Sequence, residues 1–214
     1  MSSPIRAVLW DVGGVLVRTF DQGGRQAWEQ RLGLPPGGAE AVVLNSEMGH
    51  RAQRGEIGDE TLWSWVGERL ALGDELAAFR GDFWRGDRVD GALVALIRQL
   101  RPRYQVAIIS NATDALRTTL RGYGLLDEFD LIVGSAYEGI MKPQPAIYER
   151  ALARLGRSAD ETVFIDDAPA NIAGAAAVGL HTVHFTPSIN LASELQRLGV
   201  LIEEATTDFA DNTD

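Results

Sequence analysis

Four short stretches hold the residues best equipped for chemistry: Asp11, Ser110-Asn111, Lys142 and Asp166-Asp167. Three carboxylates gathered in one place repel each other and hold on to protons unless a cation sits among them. A hard divalent ion such as Mg²⁺ suits carboxylates combined with a backbone carbonyl and water. Lys142 adds a positive charge for an anion, and Ser110 adds a hydroxyl. The N–H groups opening a helix after Asn111 would cradle anionic oxygens. An acidic nucleophile, a divalent ion, a lysine and such a cradle describe phosphoryl transfer through an aspartyl phosphate. Singly, each has an ordinary structural use. Asp11 and Asp166-Asp167 could be turn residues, Asn111 with Asp114 a helix cap, and Lys142 a loop lysine ahead of a helix opened by Pro145. Their order, and their common position at strand ends, argue for the joint reading.

The elements that position them follow from the apolar pattern. Residues 5–10 form a mostly apolar run ending at Asp11 and Gly13-Gly14, as expected of a buried strand followed by a turn. Beyond Asp90 the period alternates. Helices are expected over 91–100, 112–123, 146–155, 169–178 and 191–198, with strands over 105–109, 130–133, 162–165 and 182–185. Strands alternating with helices of this length imply an α/β, doubly wound, Rossmann-like parallel sheet, which binds ligands beyond the carboxyl ends of its strands. Residues 17–89 read as helical with no strand pattern. The expected organisation is therefore a core of 1–16 and 90–200, a small all-helical cap of 17–89 inserted after the first strand, and a tail of 201–214. From Glu203 on, that tail holds five acids and no base and is expected to be a solvated end without chemistry.

Composition sets the outer limits. The chain has 214 residues, 45% of them hydrophobic, enough for one core plus an accessory lobe. A net charge of −10 argues against nucleic acid as a partner. No apolar run reaches the length of a membrane span, and the amino terminus lacks the pattern of a signal peptide. Zero cysteines exclude disulfides and thiolate metal sites. They fit a reducing compartment, and a cytoplasmic location is expected. Oligomeric state is not legible.

The text itself resembles a known family. Trp10-Asp11-Val12-Gly13-Gly14-Val15-Leu16, Ile109-Ser110-Asn111-Ala112, Met141-Lys142-Pro143 and Phe164-Ile165-Asp166-Asp167 are similar, in order, to the four motifs of the haloacid dehalogenase-like superfamily. Residues 17–89 resemble its C1-type cap, with Arg54-Gly55-Glu56-Ile57 and Trp63 close to epoxide-hydrolase-N-terminal-like and sugar-phosphatase-like members. The resemblance implies that Asp11 is nucleophile and metal ligand, that the Gly13 carbonyl is a second ligand, and that Asp167 coordinates directly with Asp166 as its outer neighbour. It further implies that Ser110 and the Asn111 backbone hold phosphoryl oxygens, and that Lys142 neutralises nucleophile and phosphate. The expected activity is Mg²⁺-dependent hydrolysis of a small phosphorylated metabolite, with sugar phosphates favoured.

One position departs from the pattern. Phosphatases of this family usually carry a second aspartate two residues after the nucleophile, as acid to the leaving group and base to water; here it is Gly13. Such help is worth about 10²–10⁴-fold. The gap leaves two alternatives open. Metal-independent 2-haloacid dehalogenases also lack this aspartate, but they lose the metal acids that this chain keeps. A catalytically degenerate phospho-ligand binder has no evident need for four charges at one edge. Away from the motifs, His181 and His184, three apart on a strand, point to opposite faces and cannot share an ion. His50 and Arg54 could meet an anionic substrate, whereas Arg51 reads as a solvated helix face. Trp28, Trp63, Trp65 and Trp84 read as the anchors of the cap's small core or its hinge.

Overall fold

The computed structural model describes residues 4–202. The acidic stretch from Glu203 onward lies outside them. Five parallel strands form the central sheet: β1 (Ala7–Trp10), β4 (Gln105–Ser110), β5 (Leu131–Gly134), β6 (Thr162–Asp166) and β7 (His181–His184). Their spatial order is β5-β4-β1-β6-β7. The chain therefore winds outward from β1 first on one side and then on the other. The reversal leaves a crevice at the carboxyl end of β1, between β4 and β6.

Alternate residues of each strand feed two apolar layers, as a sheet covered on both faces requires. Val8, Trp10, Val106, Ile108, Val163 and Ile165 face α6 (Gly91–Leu100), α7 (Leu116–Gly122) and α11 (Leu191–Arg197). Leu9, Ala107, Ile109 and Phe164 face α9 (Pro145–Leu155) and α10 (Pro169–Ala177). The local signals are conventional. Asp90 accepts from the N–H groups of Ala92 and Leu93 at the start of α6, whose buried Leu93, Val94, Leu96, Ile97 and Leu100 follow helical spacing. Pro145 opens α9, and Gly156 in a left-handed conformation closes it.

Between β1 and α6 the chain forms α1 (Gly23–Leu32), α2 (Gly38–Val43), α3 (Glu47–Gln53), α4 (Asp59–Arg69) and α5 (Leu76–Trp84). These helices share an apolar cluster of their own. Trp63 lies edge-on to Phe79 and Phe83, and Trp28 edge-on to Phe79. Of the four tryptophans expected there, Trp28 and Trp63 are buried, Trp65 is packed against the cluster, and Trp84 stays 40% exposed at its margin.

The stretch is not free of strands. β2 (Val17–Thr19) pairs antiparallel with β3 (Asp87–Val89), so the helical insert leaves and rejoins the core through one short ribbon. The ribbon is fastened by the Arg18–Asp90 ion pair and by the Thr19 hydroxyl donating to Asp87 (2.6 Å). Buried Arg25 donates to Asp87 (3.0 Å) and to the Phe83 carbonyl (2.8 Å), tying α1 and α5 to it. No helix among the described residues is long and apolar enough to cross a membrane.

Candidate active site

Asp11 follows the last residue of β1, while Ser110 and Asp166 are the last residues of β4 and β6. Register alone thus places three of the four motifs side by side at the topological switch. The fourth is brought in by a side-chain strut. Asn111 Nδ2 donates to the Lys142 carbonyl (3.0 Å), and the Lys142 N–H donates to Asn111 Oδ1 (2.8 Å). Lys142 Nζ then lies 2.7 Å from Asp11 Oδ1 and 2.6 Å from Asp166 Oδ2, with 1% of its side chain exposed. It is the only lysine in the sequence.

Carboxylate oxygens of Asp11, Asp166 and Asp167 lie within 4.8 Å of one another. Gly14 is what lets them do so on the Asp167 side. Its φ is +78°, and a Cβ there would fall 2.1 Å from an Asp167 oxygen. Asp11 Oδ1 also accepts from the Val12 N–H (2.7 Å), and among the described residues no donor reaches Oδ2. Nor does any reach the Gly13 carbonyl, because the turn uses the Val12 carbonyl and the Gly14 N–H to close on Val17. Ser110 is buried, and its hydroxyl has no partner among the described residues.

The electrostatics record the crowding. Burial pushes the Asp11 carboxyl up to about 7, opposed by Lys142 and reinforced by Asp166. Asp167 is raised by burial and by Asp166. Three carboxylates and one ammonium sum to two negative charges in a site of oxygen donors, a donor set that fits Mg²⁺. A divalent cation would remove the strain these shifts express.

Two expectations need correction. No helix opens at residue 112: α7 begins at Leu116, so the anion cradle expected directly after Asn111 is not a helix start. The reason is tertiary. The Ala112 N–H is spent on Ser135 Oγ (3.0 Å), and the Asn111 side chain on Lys142, which hold 111–114 away from helical geometry. Likewise Asn111 and Asp114 do not jointly cap α7. Asp114 Oδ1 instead accepts from the N–H of Asp59, in the insert (2.9 Å). Arg54 is held by Glu47 (3.0 Å) and Glu56 (2.6 Å), and Arg51 by Glu56. His181 and His184 contact different backbone carbonyls, of Asp160 and Asp167.

Sequence alone assigns no role to Asn171, which falls in a stretch similar to the family's small-residue helix after the metal acids, or to Ser135. Asn171 Nδ2 donates to both oxygens of fully buried Asp166 (3.0 and 3.1 Å), and its carbonyl accepts from the buried Tyr148 hydroxyl. The available signal was an amide one helical turn beyond Asp167. Ser135 is a lone serine at a strand end with no textual signal.

Comparison with known proteins identifies the family. A family model described as haloacid dehalogenase-like hydrolase matches residues 5–179. The chain is 31% identical over 202 residues to sesquiterpene phosphatase astK of Aspergillus oryzae, covering 92% of this chain and 98% of that one. It is 26% identical to validoxylamine A 7'-phosphate phosphatase of Streptomyces hygroscopicus subsp. limoneus, with 94% of each covered. A HAD family enzyme of Bacteroides thetaiotaomicron, solved with magnesium and inorganic phosphate, shares the fold at a TM-score of 0.70 and 21% identity, over 89% of this chain and 98% of the other. With the motif order, the strand-end placement and a matching model over most of its length, the chain belongs to the haloacid dehalogenase-like hydrolase family.

Proposed function

We propose that the protein is a Mg²⁺-dependent phosphomonoester hydrolase acting on a small phosphorylated metabolite, with sugar phosphates the first class to test. The observation that carries this reading is the buried Lys142 bridging Asp11 and Asp166 beside Asp167, a cluster two charges short of neutral. A dehalogenase acting without metal has no use for that surplus. Full-length similarity to relatives named as phosphatases supports the same choice, while their differing substrates leave the leaving group open.

In this reading Asp11, Asp167 and the Gly13 carbonyl would hold a cation, with Asp166 behind them, and the cation would supply Lewis-acid neutralisation of phosphoryl charge. The residues of the chain do the rest. An oxygen of Asp11 attacks phosphorus in line. The P–O bond to the leaving group breaks, and the departing oxygen takes a proton from water, since Gly13 offers none. Ser110 Oγ and the Asn111 N–H hold equatorial oxygens, and Lys142 balances the added charge. Water then attacks the aspartyl phosphate, releasing phosphate and regenerating Asp11.

The test is phosphate release from p-nitrophenyl phosphate and a sugar-phosphate panel, with Mg²⁺ and with EDTA, beside chloride release from 2-chloropropionate. Phosphate release that needs Mg²⁺ and is lost in Asp11→Asn is expected. Metal-independent chloride release would hand the site to the dehalogenase chemistry.

A further inference from the structure

The loop that follows Ser110 does more than present Ser110 and Asn111. Besides its N–H bond to Ser135 Oγ, Ala112 accepts the Ser135 hydroxyl at its carbonyl (3.2 Å), which joins loop 111–114 to α8 (Ser135–Glu138) as one platform. The helical insert rests on that platform at two points. At the first, the Asp59 N–H donates to Asp114 Oδ1 (2.9 Å), and Thr113 Oγ1 donates to Asp59 Oδ1 (2.8 Å). Arg80 of α5 donates to Asp59 Oδ2 (2.6 Å) while lying over the Trp63 ring. At the second, the turn at Gly55, with φ +70°, comes down on α8 so closely that a Cβ would sit 2.1 Å from the Ala136 carbonyl.

Both oxygens of Asp59 are spent on fixed donors, and 14% of its side chain is exposed. It is therefore no stand-in for the acid missing at Gly13. It joins the insert's own aromatic cluster, through Arg80, to the residues immediately after Ser110-Asn111.

We propose that Asp59 is a positioning residue: through Thr113 and Asp114 it fixes the seating of the insert and, with it, the placement of the loop that receives phosphoryl oxygens. The kinetic part of this inference rests on the phosphatase reading; the structural part does not. If insert and loop are coupled, loosening one loosens the other, and substrate must restore the register on binding.

The test uses Thr113→Val and Asp114→Ala, with Asp114→Asn as the conservative variant that keeps an acceptor oxygen. Deuterium uptake at residues 58–63 should rise in the first two and return to wild type in Asp114→Asn. KM and the inhibition constant for inorganic phosphate should rise together by about 3- to 10-fold, the usual size of coupling between neighbouring sites, with kcat within about twofold. A purely structural role would lower thermal stability without that split. Unchanged exchange in Asp114→Ala, or Asp114→Asn behaving like Asp114→Ala, overturns the proposal. Wild-type enzyme that releases no phosphate from any ester, yet shows the exchange response and its rescue, overturns the phosphatase reading and leaves the positioning role standing.

Discussion

At the scale of single residues, Gly13 is where the proposed site departs from the family's usual pattern, and the geometry there is permissive. A Cβ built on Gly13 meets nothing within 4 Å, and its φ is not in the left-handed region, unlike that of Gly14. An aspartate can therefore be accommodated. Gly13→Asp is expected to raise kcat for esters with poor leaving groups by about tenfold or more, within the usual range for general acid–base help, and to matter less for p-nitrophenyl phosphate. Steady-state kinetics on both substrates checks this; equal gains on the two would point to altered metal binding instead. The raised carboxyls make a second prediction. With its carboxyl near 7, Asp11 holds a proton that a cation must displace as pH falls, and Asp167 is shifted in the same direction. Mg²⁺ affinity should fall as pH drops from 8 to 6, with proton release visible by calorimetry in buffers of different ionisation enthalpy. Without metal, the sign for stability runs the other way. A carboxyl with a raised folded-state pKa contributes stability below its unfolded value near 3.8, lost as pH rises through about 7. Asp11→Asn should therefore melt higher than metal-free wild type above pH 7, with the difference shrinking towards pH 4.

At the scale of elements, the sequence is clearest where burial writes a period. β1, β4 and β6 are apolar runs ending at polar residues, and the structure ends them at Trp10, Ser110 and Asp166. The candidate site is legible for the same reason: strand ends in a parallel sheet are where residues meet at a crevice. β2 and β3, three residues each, were invisible because so short a run carries no period and their pairing is seventy residues apart. The start of α7 was misplaced because helix propensity at 112–115 is overridden by bonds to Ser135 and to the insert, which no local pattern announces. Asn171 belongs to this scale too, since α10 delivers it to Asp166 from the layer below. Asn171→Ala strips two donors from a fully buried carboxylate. It should destabilise the fold by about 1–3 kcal/mol and lower activity further, because Asp166 shares Lys142 with Asp11. Urea denaturation beside kinetics separates the two effects; an unchanged midpoint would mean that water replaces the amide.

At the scale of the whole molecule, stability and function meet in the same cluster. The sheet brings three carboxylates to one crevice and the Asn111 strut sets one lysine against them, inside a chain already carrying −10. Folding must therefore work against a local repulsion that Lys142 offsets in part and that a proton on Asp11 or a bound cation relieves further. The insert is linked to that crevice by the platform at 111–114, so relief there is expected to reach beyond the core. Mg²⁺ at about a hundred times its dissociation constant should add roughly 2.7 kcal/mol by linkage. For a domain of this size that is a melting-point rise of about 5–10 °C. The rise should be largest near pH 8, where Asp11 is ionised, and smaller near pH 5, where Asp11 holds a proton. If Asp167 is a ligand as proposed, Asp167→Asn should lose most of it. Na⁺ at matched ionic strength should not reproduce it, because general screening acts far less on the buried Asp11, Lys142 and Asp166 than on surface charges. Differential scanning fluorimetry across Mg²⁺ and pH separates these cases: a shift independent of pH, or equal in Asp167→Asn, would place the ion somewhere other than among Asp11, Asp166 and Asp167.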